Sequence, residues 1–187
     1  MAKAIPPRRR PKQARAQATI AAIFEATAQI LETEGEARFT TNRIAERAGV
    51  SIGSLYQYFA DKQAILVGLA EAENEKVRAQ VKAGLAAGRI SPTRLMIRLQ
   101  IAILRDRPNT RRAALKAILA ARTPAELAAE GRATTGLLPK SGPRGIEAFV
   151  LSRAILGAIR AAVLEDAPFL HEQAFEDALV RLAESGG

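Results

Sequence analysis

The sequence contains no cysteine and no tryptophan, and its single histidine is His171. Without thiols there is no disulfide framework, no thiol nucleophile and no cysteine-rich zinc site, and one histidine does not build a metal centre. Aromatic residues make up only 4% of the chain, which disfavours an aromatic cage around a cationic ligand. We therefore expect neither a metal nor a cofactor.

Long apolar runs are also missing. A run such as Ala154–Ile159 is far shorter than the roughly 20 residues that a bilayer-spanning helix needs. The N-terminus is basic, but Pro11, Lys12 and Arg15 lie where the apolar part of a signal peptide would be. These absences predict a soluble, cytoplasmic protein with no membrane partner.

No catalytic constellation emerges from the residues. Gly131 and Gly136 have the spacing that begins a phosphate-binding loop, but Leu137 and Leu138 stand where the lysine and hydroxyl residue would be needed. No carboxylate pair has an obvious acid–base partner. The chain is therefore not expected to be an enzyme.

Positive charge is concentrated at the N-terminus. The net charge is +9, and the first fifteen residues hold six basic residues and no acidic one. A proline-rich arm over residues 1–14 with Arg8, Arg9 and Arg10 in a row cannot bury apolar surface. Such an arm either attaches to phosphates and enters a minor groove or is a solvated tail that aids solubility. Both interpretations remain open at this point.

Apolar residues recur at helical spacing in the rest of the chain, and no alternating pattern indicates a strand. The first four predicted helices run over about 14–35, 41–49, 52–59 and 61–86. Further helices are predicted near 91–105, 108–122, 123–130, 144–165 and 171–184, with a loop at 131–145. The fold class is therefore all-α, with a small helical domain at 15–62 and a larger one at 63–187.

Residues 41–59 carry the strongest functional signal. Two short helices are joined by Gly49-Val50-Ser51, a spacing typical of a helix-turn-helix. The second of them, about eight residues and about 12 Å long, suits a major groove of about 12 Å. Its exposed residues are expected to be Ile52, Gly53, Ser54, Tyr56, Gln57 and Tyr58. The alternative is an ordinary pair of core helices with two tyrosines on the surface.

The segment from Thr40 to Lys62 resembles the DNA-binding segment of the TetR family of bacterial transcriptional regulators. The resemblance rests on the Gly-Val-Ser turn, on Gly-Ser-Leu-Tyr-Gln-Tyr-Phe and on the following Asp-Lys. It implies DNA contacts from the recognition helix and phosphate contacts from the flanking helices. The residues concerned are Ser54, Tyr56 and Tyr58, with Gln57 and Ile52, and for phosphate Thr41 and Lys62. Arg43 has chemistry suited to phosphate but equally to a solvated surface.

The resemblance also implies a C-terminal domain that dimerises through its last two helices and often encloses a small-molecule pocket. The expected interface residues are Phe149, Ile155, Ile159, Val163, Phe175, Leu179 and Leu182. The alternative is that they form only the core of one chain. The pocket residues are not identified. Arg94, Arg98 and Arg105 share one helix face that would either meet an acidic ligand or lie in solvent.

The sequence thus predicts a homodimeric, sequence-specific regulator that binds double-stranded DNA. The resemblance implies a repressor on a near-palindromic operator, released by a small-molecule effector. The alternative is a non-specific, histone-like basic DNA-binding protein, for which the arm and the pI of about 10.6 would suffice. That alternative does not explain a recognition helix without charge.

Overall fold

The computed structural model describes residues 11–86, 92–135 and 145–184. Within these ranges all regular structure is helical and there is no strand, which confirms the all-α class. The chain divides into two compact units after Leu66. Arg8, Arg9 and Arg10 lie outside the described residues.

The first unit is built on α1 (Pro11–Thr33), α2 (Thr41–Ala48), α3 (Ile52–Tyr56) and the first turn of α4 (Lys62–Ala86). A 3-10 turn at Glu36–Arg38 links α1 to α2. The inner faces of these helices supply a small apolar core. Its fully buried members include Ile23, Ile30, Leu31, Ile44, Leu55 and Ile65.

Helix α3 is shorter than the sequence predicted. It ends at Tyr56, whereas the pattern indicated Phe59, so its length is about 7.5 Å at 1.5 Å per residue. The backbone N–H groups of Tyr58 and Phe59 both donate to the carbonyl of Leu55, which tightens the chain into a turn. The Phe59 ring then packs against Phe24 on α1, with ring centroids 5.6 Å apart.

The end of α2 depends on a glycine. Gly49 has φ 68° and ψ 29°, the left-handed conformation, and its N–H donates to the carbonyls of Ala45 and Glu46. A Cβ at this position would meet no atom within 4 Å, so a substitution is opposed only by the backbone conformation. The turn between the two short helices therefore requires a residue that tolerates positive φ.

We expect Gly49→Ala to lower the free energy of unfolding by about 1–2 kcal/mol, the cost of the left-handed region for an ordinary residue. Gly49→Asn is the matched control, because asparagine tolerates this conformation better, and it should cost clearly less. Urea unfolding of both variants measures the difference. Equal losses would show that space, and not φ, limits the position.

The second unit contains the rest of α4, α5 (Pro92–Asp106), α6 (Pro108–Ala121), α7 (Pro124–Thr135), α8 (Ile146–Leu164) and α9 (Gln173–Glu184). A 3-10 turn at Pro168–His171 precedes α9, which is why that helix begins later than predicted. The main core joins α4, α5, α8 and α9 around Ile97, Ile101, Ile155 and Val180. No helix in the described ranges has the length and apolar character needed to cross a membrane.

Helix α7 extends into the stretch that was predicted to be a loop. It begins with a capping box, in which Glu126 accepts the Thr123 N–H at 2.8 Å and Thr123 accepts the Glu126 N–H. It continues through Gly131 to Thr135 because Arg153 on α8 packs against Gly131 and donates to its carbonyl at 2.7 Å. The loop prediction was therefore wrong for 131–135, and 136–144 lie outside the described residues.

The arginines of α5 pair with α9. Arg98 Nε lies 2.9 Å from Oε1 of Glu176, whose side chain is buried, and Arg94 lies 3.9 Å from Asp177. The side chain of Arg105 is not described. These ion pairs join two helices, and both arginine side chains keep 39% and 48% of their surface exposed, as the solvated-face interpretation expects.

Helix α8 is apolar on two opposite faces, and the predicted interface residues fall on both. Ile155, Ile159 and Val163, together with Leu179 of α9, are buried inside a single chain and have no surface to offer to a partner. This corrects their assignment to an interface. Phe149 and Leu182 are exposed by 56% and 40%, and Phe175 is half-buried. The helical spacing of the sequence did not distinguish residues that face the core of the chain from residues that face outward.

Candidate nucleic-acid interface

The turn between α2 and α3 is fixed by hydroxyl caps on both helices. The Thr40 side chain accepts the Arg43 N–H at the start of α2, and Ser51 accepts the Ser54 N–H at 3.0 Å at the start of α3. The Ser51 and Ser54 hydroxyls lie 2.8 Å apart. Both caps satisfy N–H groups that would otherwise lack a partner, so two very short helices are held in defined positions.

One buried side chain packs α3 against the unit. Leu55 is the only buried residue of this helix and is fully inaccessible. The side chains around it face outward. Tyr56 is 52% exposed, Ile52 38% and Tyr58 37%; Gly53 and Gln57 are exposed and Ser54 is half-buried. The structure thus brings all six predicted recognition-helix residues to the surface, although Tyr58 and Gln57 lie in the turn after the helix.

The hydroxyl of Tyr56 links α3 to α2. It lies 3.2 Å from the Thr41 hydroxyl, and either group can donate. Both residues were predicted to contact DNA, and this hydrogen bond joins them into one surface. Uncharged hydroxyl and amide groups suit hydrogen bonds to base edges and phosphate oxygens.

Lys62 is the first residue of α4 and lies in the first unit. Its Nζ donates to the Phe39 carbonyl at 3.3 Å and lies 5.5 Å from the centroid of the Phe39 ring. The helix is capped by Asp61, whose carboxylate accepts the Ala64 N–H at 2.8 Å. An ammonium has three donors. The contact with Phe39 therefore orients Lys62 while leaving donors for a phosphate.

The guanidinium of Arg43 is engaged with two carboxylates. Its Nε and Nη2 donate to the two carboxylate oxygens of Glu34 at 3.0 Å each, and its Nη1 donates to Glu46 at 2.9 Å. Arg47 also pairs with Glu34 and donates to Gln29 at 3.0 Å. These bonds use three of the five N–H donors of the guanidinium, and the side chain is 33% exposed, so a phosphate contact from Arg43 stays a prediction.

The cluster of Glu34, Arg43 and Arg47 fastens α2 to the end of α1. Sequence reasoning missed Glu34, since it precedes Arg43 by nine residues and no local pattern joins them. The hydrogen bond from Arg43 holds the pKa of Glu34 below its ordinary value of 4.5, against a smaller opposing effect of burial. The same bond, with that from Glu46, raises the pKa of Arg43. Glu34 is therefore a carboxylate that the folded state keeps ionised.

The lowered pKa makes part of the stability dependent on pH. The contribution of Glu34 is present above about pH 4.5 and is lost as the pH falls through the lower, folded-state pKa. We expect Glu34→Gln to be less stable than the original chain at pH 7, with the gap closing on acidification to pH 3. Thermal unfolding across this range measures the gap, with the exposed Glu36→Gln as control. A gap that is independent of pH would contradict the assignment.

Comparison with known proteins finds a family model that matches this segment. Residues 23–69 match the model of bacterial regulatory proteins of the tetR family, a segment that runs from α1 into α4. The nucleoid occlusion factor SlmA of Vibrio atlanticus is 33% identical over 88 residues, which cover 46% of this chain and 45% of that protein. The match therefore spans less than half the length of this curated relative.

Solved structures resemble the chain over most of its length. FadR of Thermus thermophilus, a TetR-family repressor solved in complex with lauroyl-CoA, has a TM-score of 0.64 at 19% identity. The match covers 89% of this chain and 94% of that one. FadR of Bacillus subtilis, solved with stearoyl-CoA, has a TM-score of 0.65 at 17% identity, over 88% and 95% of the two chains. At these identities the similarity shows the fold.

The expected helix-turn-helix residues, the local geometry and the matched segment agree with one another. The short α3, with one buried anchor and an uncharged outer face, lies inside the matched residues, and so do Thr41 and Lys62. Most of the chain also shares its fold with FadR of Thermus thermophilus. Residues 23–69 of the chain therefore match the segment that defines bacterial regulatory proteins of the tetR family, on a fold similar to that of FadR.

Proposed function

We propose that the protein is a sequence-specific DNA-binding transcriptional regulator. It acts as a homodimer on a near-palindromic operator, represses transcription there, and is released when a small molecule binds to the second unit. The observation that carries the proposal is the exposure of Ile52 and Tyr56 on α3, whose only buried residue is Leu55, and of Tyr58 in the turn after it. Large apolar and aromatic side chains held outward in this way are suited to a groove of DNA.

The distribution of charge in the first unit favours sequence-dependent binding over a general attraction to phosphate. Residues 16–62 hold four basic and six acidic residues, so the body of the helix-turn-helix unit lacks a broad basic surface. Both arginines of α2 are also engaged with Glu34. Affinity must then come from contacts at α3, from Lys62 and from the N-terminal arm, whose role in the minor groove stays a prediction.

The similarity to FadR supports the effector part of the proposal. Those regulators were solved with acyl-CoA molecules bound. Their fold is shared along most of this chain, and the second unit here has a partly open cavity of about 120 Å³ between α4, α5, α6 and α8. A shared fold does not imply that this chain binds the same effector as FadR.

Selection of duplexes from a random DNA pool at about 150 mM salt tests the proposal, because weak phosphate binding is strongly reduced at that ionic strength. An enriched inverted repeat is the expected result. Binding without enrichment that fades as the salt concentration rises would favour the non-specific, histone-like alternative. The Leu55→Ala protein, in which α3 should no longer be held in place, is the control. It should not enrich the inverted repeat.

The outer face of α8 supports the dimer. Apart from Glu147, its exposed residues are apolar or small: Ile146, Phe149, Val150, Ala154, Gly157 and Leu164. On α9, Ala174, Ala178 and Leu182 are exposed as well. Arg153 stacks on the Phe149 ring at 4.4 Å and fixes its orientation. An apolar stripe of this length on a soluble regulator favours burial against a second copy.

We expect Phe149→Glu to convert the dimer into a monomer, because dimer formation would bury the new charge in an apolar interface. Light scattering should then give the 20.0 kDa chain mass instead of twice that value. Ala120→Glu, which places the same charge on an exposed residue of α6, should remain dimeric. A dimer that persists in Phe149→Glu would exclude this face.

A further inference from the structure

The surface that α3 exposes carries no charge. From Ala48 to Ala60 the chain contains no acidic residue, no lysine and no arginine. Of the charged residues that flank this segment, Arg47 pairs with Glu34, and Asp61 caps α4. Guanine is most often bound through arginine or lysine at its O6 and N7, and cytosine through a carboxylate at its N4. The groups that commonly recognise a G·C pair are therefore missing from this segment.

Ile52 is an aliphatic side chain that the fold leaves exposed. It is the first residue of α3, and Tyr56, which is also exposed, follows one helical turn later on the same face. The C5-methyl of thymine is the one apolar group that a base pair presents in the major groove. Contact between this methyl and Ile52 would remove apolar surface of both from water. Ile52 therefore matches thymine better than any other base.

Gly53 lies next to Ile52, and the fold does not require a glycine there. Its φ is outside the positive range that favours glycine, unlike that of Gly49. The nearest neighbour of an added Cβ would be the Ser51 hydroxyl oxygen at 3.9 Å, an ordinary van der Waals distance. Alanine is also more favourable than glycine in a helix. The glycine is better explained by the open space that it leaves, which lets a ligand approach the helix backbone closely.

Gln57 carries the only side-chain amide between Ala48 and Ala60. It is exposed in the turn after α3, and its amide forms no hydrogen bond to the part of the chain that the structure describes. Glutamine matches adenine, because its amide donates to N7 and accepts from the N6 amino group. An exposed amide and an exposed aliphatic group together suit an A·T pair.

We propose that α3 recognises A·T pairs in the major groove of DNA. Ile52 contacts a thymine C5-methyl, Gly53 allows the helix to approach the bases, and Gln57 bonds to N6 and N7 of an adenine. The inference rests on the proposed function and specifies its substrate, a duplex whose half-sites place A·T pairs opposite α3. It concerns base recognition and not the contacts to phosphate.

Deoxyuridine tests the methyl contact, because it pairs like thymidine and lacks only the C5-methyl. Each thymidine in one half-site of the selected duplex is replaced in turn, and the full chain is titrated with each duplex. At least one replacement should weaken binding about 4-fold, the effect of one methyl group left in water. Ile52→Ala should bind the original duplex more weakly and should not distinguish it from that deoxyuridine duplex.

A deoxyuridine outside the inverted repeat is the control and should change nothing. If no replacement within the half-site weakens binding, or if Ile52→Ala still distinguishes the two duplexes, the methyl contact is excluded.

Replacement of adenine by 7-deazaadenine tests the amide contact, because it removes the N7 acceptor. One such replacement in the half-site should weaken binding about 5-fold or more. Gln57→Ala should show no further loss with that duplex. Gln173→Ala makes the same change at an exposed residue of the second unit and should behave like the original chain. Equal sensitivity of Gln57→Ala and the original chain would overturn the adenine contact.

Gly53→Ala tests the close approach of the helix. Its melting temperature should stay the same or rise, since alanine favours a helix and space for the Cβ is available. Binding of the selected duplex should fall about 5-fold or more, roughly the loss of one base contact. The slope of log K against log salt should not change, because no phosphate contact is removed. Unchanged binding, or a clear loss of stability, would show that Gly53 does not serve the approach to DNA.

The selected duplexes separate the inference from the proposed function. An inverted repeat with A·T pairs at the positions that respond to the two base analogues supports both. An inverted repeat in which Ile52→Ala and Gln57→Ala alter the preference only at G·C pairs retains the regulator and rejects the A·T recognition. Binding without enrichment rejects the proposed function, and the inference with it.

Discussion

Leu55→Ala is expected to lower the free energy of unfolding by about 3–5 kcal/mol and to abolish specific DNA binding. The side chain is fully buried, and removal of a buried leucine leaves a cavity as well as losing the transfer energy of its methyl groups. Helix α3 has five residues and no other buried member. A helix of this length has no stability of its own, so it depends on that one anchor.

The matched control is Ile52→Ala on the same helix. Ile52 is 38% exposed and points away from the core, so its truncation should cost little stability. If Ile52 contacts DNA, the variant should nevertheless bind the selected duplex more weakly. Urea unfolding and duplex titration of both variants separate the two roles. A Leu55→Ala protein that unfolds like the original chain would contradict the view that α3 is held by a single residue.

Tyr56→Ala is expected to weaken binding of the selected duplex by about 10- to 100-fold, since each specific contact is typically worth about 1–3 kcal/mol. The ring is 52% exposed, so the fold should be almost unaffected. Tyr56→Phe removes only the hydroxyl that lies 3.2 Å from Thr41. It should show an intermediate loss if that hydroxyl orients the two residues on the DNA.

Lys62→Gln provides the contrast to Tyr56→Ala. A phosphate contact carries no sequence information, so its loss should weaken selected and unrelated duplexes by the same factor. The slope of log K against log salt should fall by about 0.9, the value for one phosphate contact. Tyr56→Ala should leave that slope unchanged and reduce the preference for the selected duplex. If Lys62→Gln alters sequence preference and not the slope, the two assignments must be exchanged.

Local features of the fold could be predicted from the sequence because they depend on neighbouring residues. The caps at Thr40 and Ser51, the cap at Asp61 and the left-handed Gly49 each involve residues no more than four apart. Helical spacing likewise determined the all-α class. The exposed residues of α3 followed from the same spacing, since Leu55 is the one position of that helix that faces the core.

The ends of a helix were less predictable where contacts with distant residues shorten or extend the helix. The apolar pattern did not show that α3 ends at Tyr56, because the turn that follows depends on Phe59 packing against Phe24. It also did not show that α7 passes through Gly131. Arg153 of a distant helix fills the open side of that glycine.

The sequence by itself determined that this protein is all-helical, that residues 41–59 form two short capped helices, and which residues the second of them exposes. Only the tertiary structure decided the partners of its charges and the two faces of α8. Glu34 meets Arg43 and Glu73 meets Arg111 across separations that no local rule spans. A helical period identifies an apolar face, but packing decides whether it lies against its own chain or remains exposed.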